Sequence, residues 1–489
     1  MFKAFLNQAG LEEQQHQVEG VEWCLKKETE GVAVFPEEQT IHGGIIADEM
    51  GLGKTIQLVG TMYCNEVPHT LIVLPKALLD QWTIVIKKML KQTPLVYHGA
   101  MKNKTTIDQL HANPIIITTY GMIVRQVSSK KAKAGVAKAI ANLLHQVNWN
   151  RIIFDEAHHM RNKKTHIFQG ATLLKSSIRW FVTGTPIQNK RTDLYNLCAL
   201  LGLPAHYYTK SANMPELCQN FVLRRTKAKT VLSQTLPKLN IHNIHIPWSN
   251  PSECHLSEDI HSVLKFSNIV TDTDTDTGTG TGTYKSIGDG AMFTLVALLR
   301  ARQSCILPEL LRKNYTRVLK KNTKEQEPLR NALSSTSKMD VVIRTILERK
   351  DNGKAKLVFC HFRGEIDYLH TILGSQNVKT ETFDGRTNEK QRHAILTDNK
   401  IDVLILQIQT GCEGLNLQQF SEVYFISPHW NPAVEDQAIA RCHRFGQKED
   451  VDVFRFYMSG FDDENETSTI DSYAANVQKA KRQIMETTF

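Results

Sequence analysis

Short apolar runs that end in polar or glycine-rich turns recur along the first part of the chain. This grammar constrains the fold more than any single residue does. GGIIADEMG, TLIVLPK, NPIIITTYG, NRIIFDEAHH and RWFVTGTPIQN all follow it. Helix-like stretches lie between some of them, Thr55 to Cys64 among them. Strands alternating with helices predict a parallel α/β sheet buried on both faces. Ligand-binding residues gather at the carboxyl ends of such strands, and the polar residues fall there each time. A second series with the same grammar begins near Lys356, in KLVFCHF, VKTETFDGRT, VLILQIQTGCEGLNL, EVYFISP and VDVFRFY. The expected organisation is an α/β lobe over residues 1–230, a linker and helical protrusion over 231–350, and a second α/β lobe over 351–489. The segment TDTDTDTGTGTGT, residues 271–283, cannot build an apolar face and is expected to be a disordered loop.

The chain of 489 residues is long enough for two to four domains at about 100–200 residues each. No apolar run approaches the roughly 20 residues that span a bilayer. The start MFKAFLNQAGLEEQQHQ turns polar too early for a secretory signal, so an intracellular protein is expected. Nine scattered cysteines without a C-x-x-C pair read as reduced thiols, and no zinc site is expected. The net charge of +9 permits a polyanionic partner such as nucleic acid, without requiring one.

The stretch IADEMGLGKTIQ, Ile46 to Gln57, carries the G-K-[ST] ending of a phosphate-binding P-loop in Gly53, Lys54 and Thr55. Gly51 and Gly53 would let backbone amides approach phosphate oxygens. Lys54 could reach the β- and γ-phosphates, and Thr55 could ligate Mg²⁺. The motif asks for a glycine at position 48, where Asp48 stands. On this stretch alone, an ordinary glycine turn before a helix competes with a P-loop. IIFDEAHH tips the balance, because Asp155 and Glu156 end a buried run. There an acid can hold Mg²⁺ and its neighbour can orient or deprotonate the attacking water. VTGTPIQN offers Thr183, Thr185 and Gln188 to sense the phosphate site. EDQAIARCHRFGQ places Arg441 and Arg444 three apart, on one face if that segment is helical. Arginine can complete the charge balance of phosphoryl transfer from a neighbouring lobe.

HQVEGVEW, ADEMGLGKTIQ, DEAHHMRN, TGTPIQN, LRRTK, GCEGLNL and WNPAVEDQAIARCHRFGQ occur in that order. Together they resemble the Swi/Snf-type ATPases of helicase superfamily 2, most of all the post-replication-repair branch, but without the RING finger usual there. The likeness runs from about His16 to Phe456, and D-E-M-G-L-G-K-T is how that family's P-loop usually reads. It implies two RecA-like lobes that use ATP and Mg²⁺ and track double-stranded DNA, with nucleosomes or other DNA-bound proteins as further partners. By the resemblance, Gln17 would contact adenine. Gly51, Gly53, Lys54 and Thr55 would hold phosphates, with Thr55 and Asp155 on Mg²⁺. Asp155 and Glu156 would serve metal and water, and Arg441 and Arg444 would be arginine fingers. Thr183, Thr185 and Gln188 would couple hydrolysis to lobe movement. Pro75, Lys76, Thr118, Thr119 and Gln409 match motifs that touch the DNA backbone. Trp430 matches a tryptophan that reaches the DNA groove. Arg224, Arg225 and Lys227 fit phosphate contacts or lobe-linker salt bridges equally. Two departures are Cys412, which replaces a usual glycine with Glu413 beside it, and Cys360–His361, where Ser-Gln is common. A monomer working in the nucleus, or at an intracellular viral replication site, would fit. SKKAKAGVAK, residues 129–138, is a basic helix candidate. A strand-separating helicase and a catalytically silent chromatin or repair scaffold are the competing readings.

Overall fold

A computed structural model describes the chain outside residues 37, 125, 128–138, 141, 231–235, 265–290, 321–322, 399, 412–414 and 462–467. It leaves the side chains of 126–127, 139–140, 291–294, 389 and 410–411 undescribed as well. The alternating segment 271–283, the basic segment 129–138 and the Cys412–Glu413 pair therefore lie outside the described residues. The chain forms two units, Met1–Leu236 with Ile484–Phe489, and Pro237–Gln483. No helix among the described residues is long and apolar enough to cross a membrane.

The first unit is built on one sheet. Its strands run in the order Val32–Val34, Gln39–Ile46, Lys175–Val182, Asn148–Asp155, Thr70–Leu74, Ile115–Thr119 and Leu95–Tyr97. Only the Val32–Val34 edge is antiparallel. Every residue of Thr70–Leu74 and of Ile115–Thr119 is buried, as a parallel sheet covered on both faces requires. Alternate residues feed two cores. Ile45, Leu71, Phe154 and Phe181 enter one, while Ile46, Ile72, Ile153 and Trp180 enter the other. The short strand Val222–Leu223 pairs in parallel with Ile45–Ile46.

Helix Gln15–Thr29 is tied to this sheet through a buried carboxylate. Glu28 accepts from Arg151 Nε at 2.6 Å and Trp180 Nε1 at 2.7 Å on one oxygen, and from Arg151 Nη2 at 2.5 Å and Asn65 Nδ2 at 2.7 Å on the other. Removing one member of a fully buried, hydrogen-bonded ion pair strands the other charge and costs about 3–5 kcal/mol. Glu28→Ala is therefore expected to destabilise the protein by that amount in denaturant unfolding. A loss under about 1 kcal/mol would contradict this account.

The second unit holds a wholly parallel sheet ordered Leu239–Ile246, Val451–Met458, Phe420–Phe425, Ala355–Cys360, Val403–Gln407 and Thr380–Phe383. Here the structure differs from the three-part division expected over 231–350. Leu239–Ile246 is an edge strand of the second sheet. Helices Ala291–Ile306 and Ser337–Glu348 share one core with that sheet, Ala301, Cys305, Met339 and Val342 meeting Val358, Cys360 and Phe456. The supposed protrusion is part of the second unit because its apolar face has no core without the sheet.

Two histidines of this unit are held neutral. His261 Nδ1 donates to the Ser257 carbonyl (2.6 Å) while its Nε2 accepts from the Ile470 amide (3.0 Å). His361 Nε2 donates to the Ser427 carbonyl (3.1 Å) while its Nδ1 faces the Arg302 guanidinium (3.5 Å). Protonation would set donor against donor. Burial lowers His261 to about 4 and His361 well below the ordinary histidine value, with Arg302 adding to the latter. Between pH 6.5 and 4 the unfolded chain then binds more protons than the native one, so stability falls as pH falls through that window. For His261 the loss approaches roughly 3 kcal/mol at the acid end, from about 1.36 kcal/mol per pKa unit. Denaturant midpoints measured from pH 7 to pH 4 should decline with at least one proton taken up on unfolding. A flat profile would refute it.

Candidate active site

Strand register assembles the site. Ile46 pairs with Val182, and Val182 pairs with Asp155, so three strands end abreast. From these ends start the loop 47–53, the turn at Thr183 and the acidic turn at Glu156. Gly51 and Gly53 have φ of 94° and 78°, left-handed values that favour glycine, and helix Lys54–Cys64 begins directly after them. Lys54 Nζ donates to the Asp48 carbonyl at 2.9 Å and lies toward Asp155, whose charge it stabilises. Thr55 follows in the first turn of the helix. Gln17 is folded over the loop, its amide donating to the Leu52 carbonyl at 3.4 Å and packed where a Cβ on Gly53 would fall.

Asp155 is nearly enclosed. Trp82 Nε1 donates to its Oδ2 at 2.7 Å, the Glu156 amide donates to Oδ1 at 3.0 Å, and Tyr120 Oη donates to its carbonyl at 2.7 Å. Burial, then the neighbouring Glu156 charge, raise its pKa, while Trp82 and Lys54 oppose the rise. Glu156 adopts φ 52°, an unusual conformation for a side-chained residue, and its carboxylate meets His158 Nδ1 at 3.2 Å. His158 also reaches the Thr183 hydroxyl at 3.3 Å. From there a polar chain runs to Thr185 and Gln188. The Thr185 amide donates to Thr183 Oγ1 (3.2 Å), Gln188 Nε2 donates to Thr185 Oγ1 (3.2 Å), and Arg161 bonds the Gln188 side-chain oxygen. A Cβ at position 184 would lie 2.7 Å from Met50 Cγ and 3.4 Å from Lys54 Nζ, so glycine there lets the turn approach both side chains closely.

A lysine, two carboxylates, a helix start and positive-φ glycines face one place. That donor set fits a triphosphate and a hard divalent cation, since amides and a cation suit phosphate and carboxylate and hydroxyl oxygens suit Mg²⁺. Trp82, Tyr120, His158 and Arg161 were not among the residues singled out from sequence. Trp82 lies in a helix rather than at a strand end, so no motif pointed to it. Trp82→Phe keeps a buried aromatic ring, a smaller one, and removes the hydrogen bond to Asp155. A bond to a charged group contributes roughly 1.5–3 kcal/mol, so the Mg²⁺ concentration for half-maximal ATPase is expected to rise about tenfold. Mn²⁺ binding followed by electron paramagnetic resonance should weaken in parallel. Unchanged metal dependence would refute the role.

The DNA-contact candidates fare unevenly. Thr118 is corrected, since its side chain is fully buried and its hydroxyl donates to the Tyr97 carbonyl at 2.8 Å. Pro75 is buried at the strand end and has no N–H to offer. Lys76 is exposed, and Thr119 meets His98 Nδ1 at 3.1 Å. In the second unit, Gln409 is exposed in the short helix Ile408–Gly411. Trp430 is half-buried, with Arg302 over its ring at 4.6 Å and Tyr473 edge-on at 6.0 Å. Helix Pro432–Ile439 starts on an Asn431 side-chain cap with Pro432 in the first turn. It stops before Arg441 and Arg444, so the single helical face expected for this pair does not form. Gln447 Nε2 instead donates to the carbonyls of Gln418, Phe420 and Cys442, holding the arginine segment as successive turns. Burial and the Arg441 charge lower the Arg444 pKa.

Residues 16–310 match the SNF2-related domain, and residues 337–446 match the helicase conserved C-terminal domain. The chain belongs to the SNF2-related family. It is 26% identical over 500 residues to the probable global transactivator of Orgyia pseudotsugata multicapsid polyhedrosis virus, covering 97% of this chain and 91% of that one. It is 26% identical to an uncharacterized ATP-dependent helicase of Mycoplasma pneumoniae (97% of this chain, 42% of that one). It is 25% identical to the DNA repair protein RAD5 of Candida albicans (92% and 56%). It thus spans about half or less of the two cellular relatives. The Sulfolobus solfataricus SWI2/SNF2 ATPase core in complex with dsDNA aligns over 98% of this chain and 96% of that one, at 22% identity and a TM-score of 0.41. As a member of this family with two parallel-sheet lobes, the protein is a Swi/Snf-type ATP hydrolase of helicase superfamily 2.

Proposed function

We propose that this SNF2-related protein hydrolyses ATP to translocate on double-stranded DNA and to shift or strip proteins bound to it. The observation that carries the reading is the row of three strand ends that gathers Lys54, Asp155, Glu156 and Thr183 in a chain of this family. When bound, Mg·ATP supplies a phosphoanhydride whose γ-phosphoryl group is the electrophile for water. Gly51, Gly53, Lys54 and Thr55 bind the phosphates, and Gln17 lies over the same loop to meet the base. Thr55 and Asp155 would hold Mg²⁺, with Trp82 orienting Asp155. Glu156 would accept a proton from the water as it attacks the γ-phosphorus and ADP leaves, and His158, 3.2 Å from the carboxylate, holds that carboxylate in place. The hydrogen-bonded chain Thr183–Thr185–Gln188 then relays the state of the site to Arg161. Arg441 and Arg444 act as arginine fingers. Lys76 and Gln409, both exposed at strand ends, contact DNA phosphates without reading sequence. Trp430 would reach the DNA groove, braced by Arg302 over its ring.

The test is the ATPase rate with naked duplex, nucleosomal duplex, single-stranded DNA and RNA. Duplex DNA should stimulate most, and stimulation by RNA alone would refute the reading. A mycoplasmal relative carries the name ATP-dependent helicase, so strand displacement on a forked substrate is the companion assay. Efficient unwinding would favour strand separation over translocation. A nucleus or an intracellular viral replication site would suit such a DNA motor.

A further inference from the structure

Asp48 occupies the position where a P-loop ordinarily has its first glycine. Its φ is not in the left-handed region, unlike those of Gly51 and Gly53, so the backbone there has no need of glycine. Its carboxylate is fully buried. It accepts from the Arg225 amide at 2.9 Å, from Arg225 Nε at 3.0 Å, from Arg225 Nη2, and from Gln57 Nε2 at 3.1 Å. Arg225 Nη2 also donates to Gln57 Oε1 at 3.0 Å, which closes a triangle among loop, helix and arginine. Gly20 leaves the room for it, because a Cβ there would fall 2.1 Å from Gln57 Oε1 and 2.8 Å from Arg225 Nη2.

The rest of the arginine's segment is zipped to the same loop. The Ala47 amide donates to the Leu223 carbonyl (2.8 Å), and the Glu49 amide donates to the Arg225 carbonyl (2.9 Å). Arg224 Nη1 donates to the Ala47 carbonyl (3.1 Å), and the Lys227 amide donates to the Glu49 carboxylate (2.7 Å). These contacts continue the pairing of Val222–Leu223 with Ile45–Ile46 past the strand end. The loop backbone cannot change shape without moving residues 223–227. Lys54 Nζ, in turn, rests on the Asp48 carbonyl.

We infer that Arg225 is a positioning residue for the phosphate-binding loop, acting through Asp48 to preset the loop backbone and Lys54 for a nucleotide's phosphates. The inference rests on the ATPase reading above. A rigid, bidentate guanidinium on a buried carboxylate holds geometry that a lysine's single ammonium does not reproduce. It assigns the Arg225 of LRRTK to the nucleotide loop rather than to a DNA phosphate.

The experiment measures equilibrium binding of a fluorescent ADP analogue, and amide exchange over residues 46–57 in the nucleotide-free protein. Wild type, Arg225→Gln, Arg225→Lys, Asp48→Gly and the Asp48→Gly/Arg225→Gln double variant are compared. Arg225→Gln should weaken ADP binding at least tenfold and speed exchange in the loop. Arg225→Lys keeps a charge for Asp48 and supports folding, and should still lose about threefold or more. In the Asp48→Gly background, Arg225→Gln should add little. If both Arg225 variants bind ADP within twofold of wild type, or if the two sites act additively, the inference falls. If wild type itself binds no ADP, the nucleotide-site reading falls first and takes the inference with it.

Discussion

Replacing Lys54 with alanine is expected to abolish ATP turnover, lowering the rate of phosphate release by about 10³-fold or more, while duplex DNA binding changes little. The magnitude follows from removing a preorganised cation at transferring phosphoryl oxygens, where even one lost donor costs 10²–10³ in rate. The structure makes the effect separable from folding. Lys54 is only partly buried, opens its helix, and spends its ammonium on the Asp48 carbonyl at 2.9 Å and the Glu49 carbonyl at 3.5 Å. Neither carbonyl depends on it for the fold, because the loop is held independently by Arg225 and Gln57. Phosphate release with saturating duplex, beside a mobility-shift titration at fixed salt, checks both halves. Turnover within tenfold of wild type would remove Lys54 from the chemistry. Loss of DNA binding together with turnover would mean that the substitution damages more than the nucleotide site.

How far the fold could be read from sequence depends on how each strand is buried. Thr70–Leu74 and Ile115–Thr119 are covered on both faces and read as unbroken apolar runs. Leu239–Ile246 lies at a sheet edge with most of its residues exposed or half-exposed. Its sequence LNIHNIHI mixes polar and apolar residues and lacks the unbroken apolar run of the inner strands, so it resembles a linker. The helices around Ala301 and Met339 show an apolar face, but a face does not say what covers it. Their membership in the second unit is a tertiary fact.

The candidate site divides in the same way. Gly51, Gly53, Lys54, Asp155 and Glu156 were legible because strand-end position and residue chemistry coincide. Trp82 and Tyr120 serve Asp155 from other elements, through an indole and a phenol that look like ordinary core aromatics in sequence. Thr118 shows the opposite error. A small hydroxyl at a strand end looks available to phosphate, yet this sheet is covered on both faces and the hydroxyl is taken up by the Tyr97 carbonyl of the neighbouring strand. Arg441 and Arg444 were read at helical spacing, but the capping of nearby carbonyls by Gln447 replaces the helix with turns.

Glu156 carries the other large expected effect. Glu156→Gln should retain ATP binding and lose hydrolysis by about 10²–10⁴-fold, the range for removing a positioned general base. The amide matches the carboxylate in shape but cannot accept water's proton, so binding and chemistry part company. The backbone supports a chemical role over a structural one. A residue with a Cβ held at φ 52° costs stability, of order 1–3 kcal/mol at strained functional positions. A chain selected for stability alone would place glycine or asparagine there. Glu156→Gly should accordingly unfold at a higher temperature than wild type while being as inactive as Glu156→Gln. Its contact to His158 at 3.2 Å explains why the strain is tolerated, since it aims the carboxylate toward the turn that carries Thr183. Thermal melts and single-turnover hydrolysis of both variants test the two claims separately. Hydrolysis by Glu156→Gln near the wild-type rate would move the general base elsewhere. A destabilised Glu156→Gly would show that the turn is held by contacts rather than for chemistry.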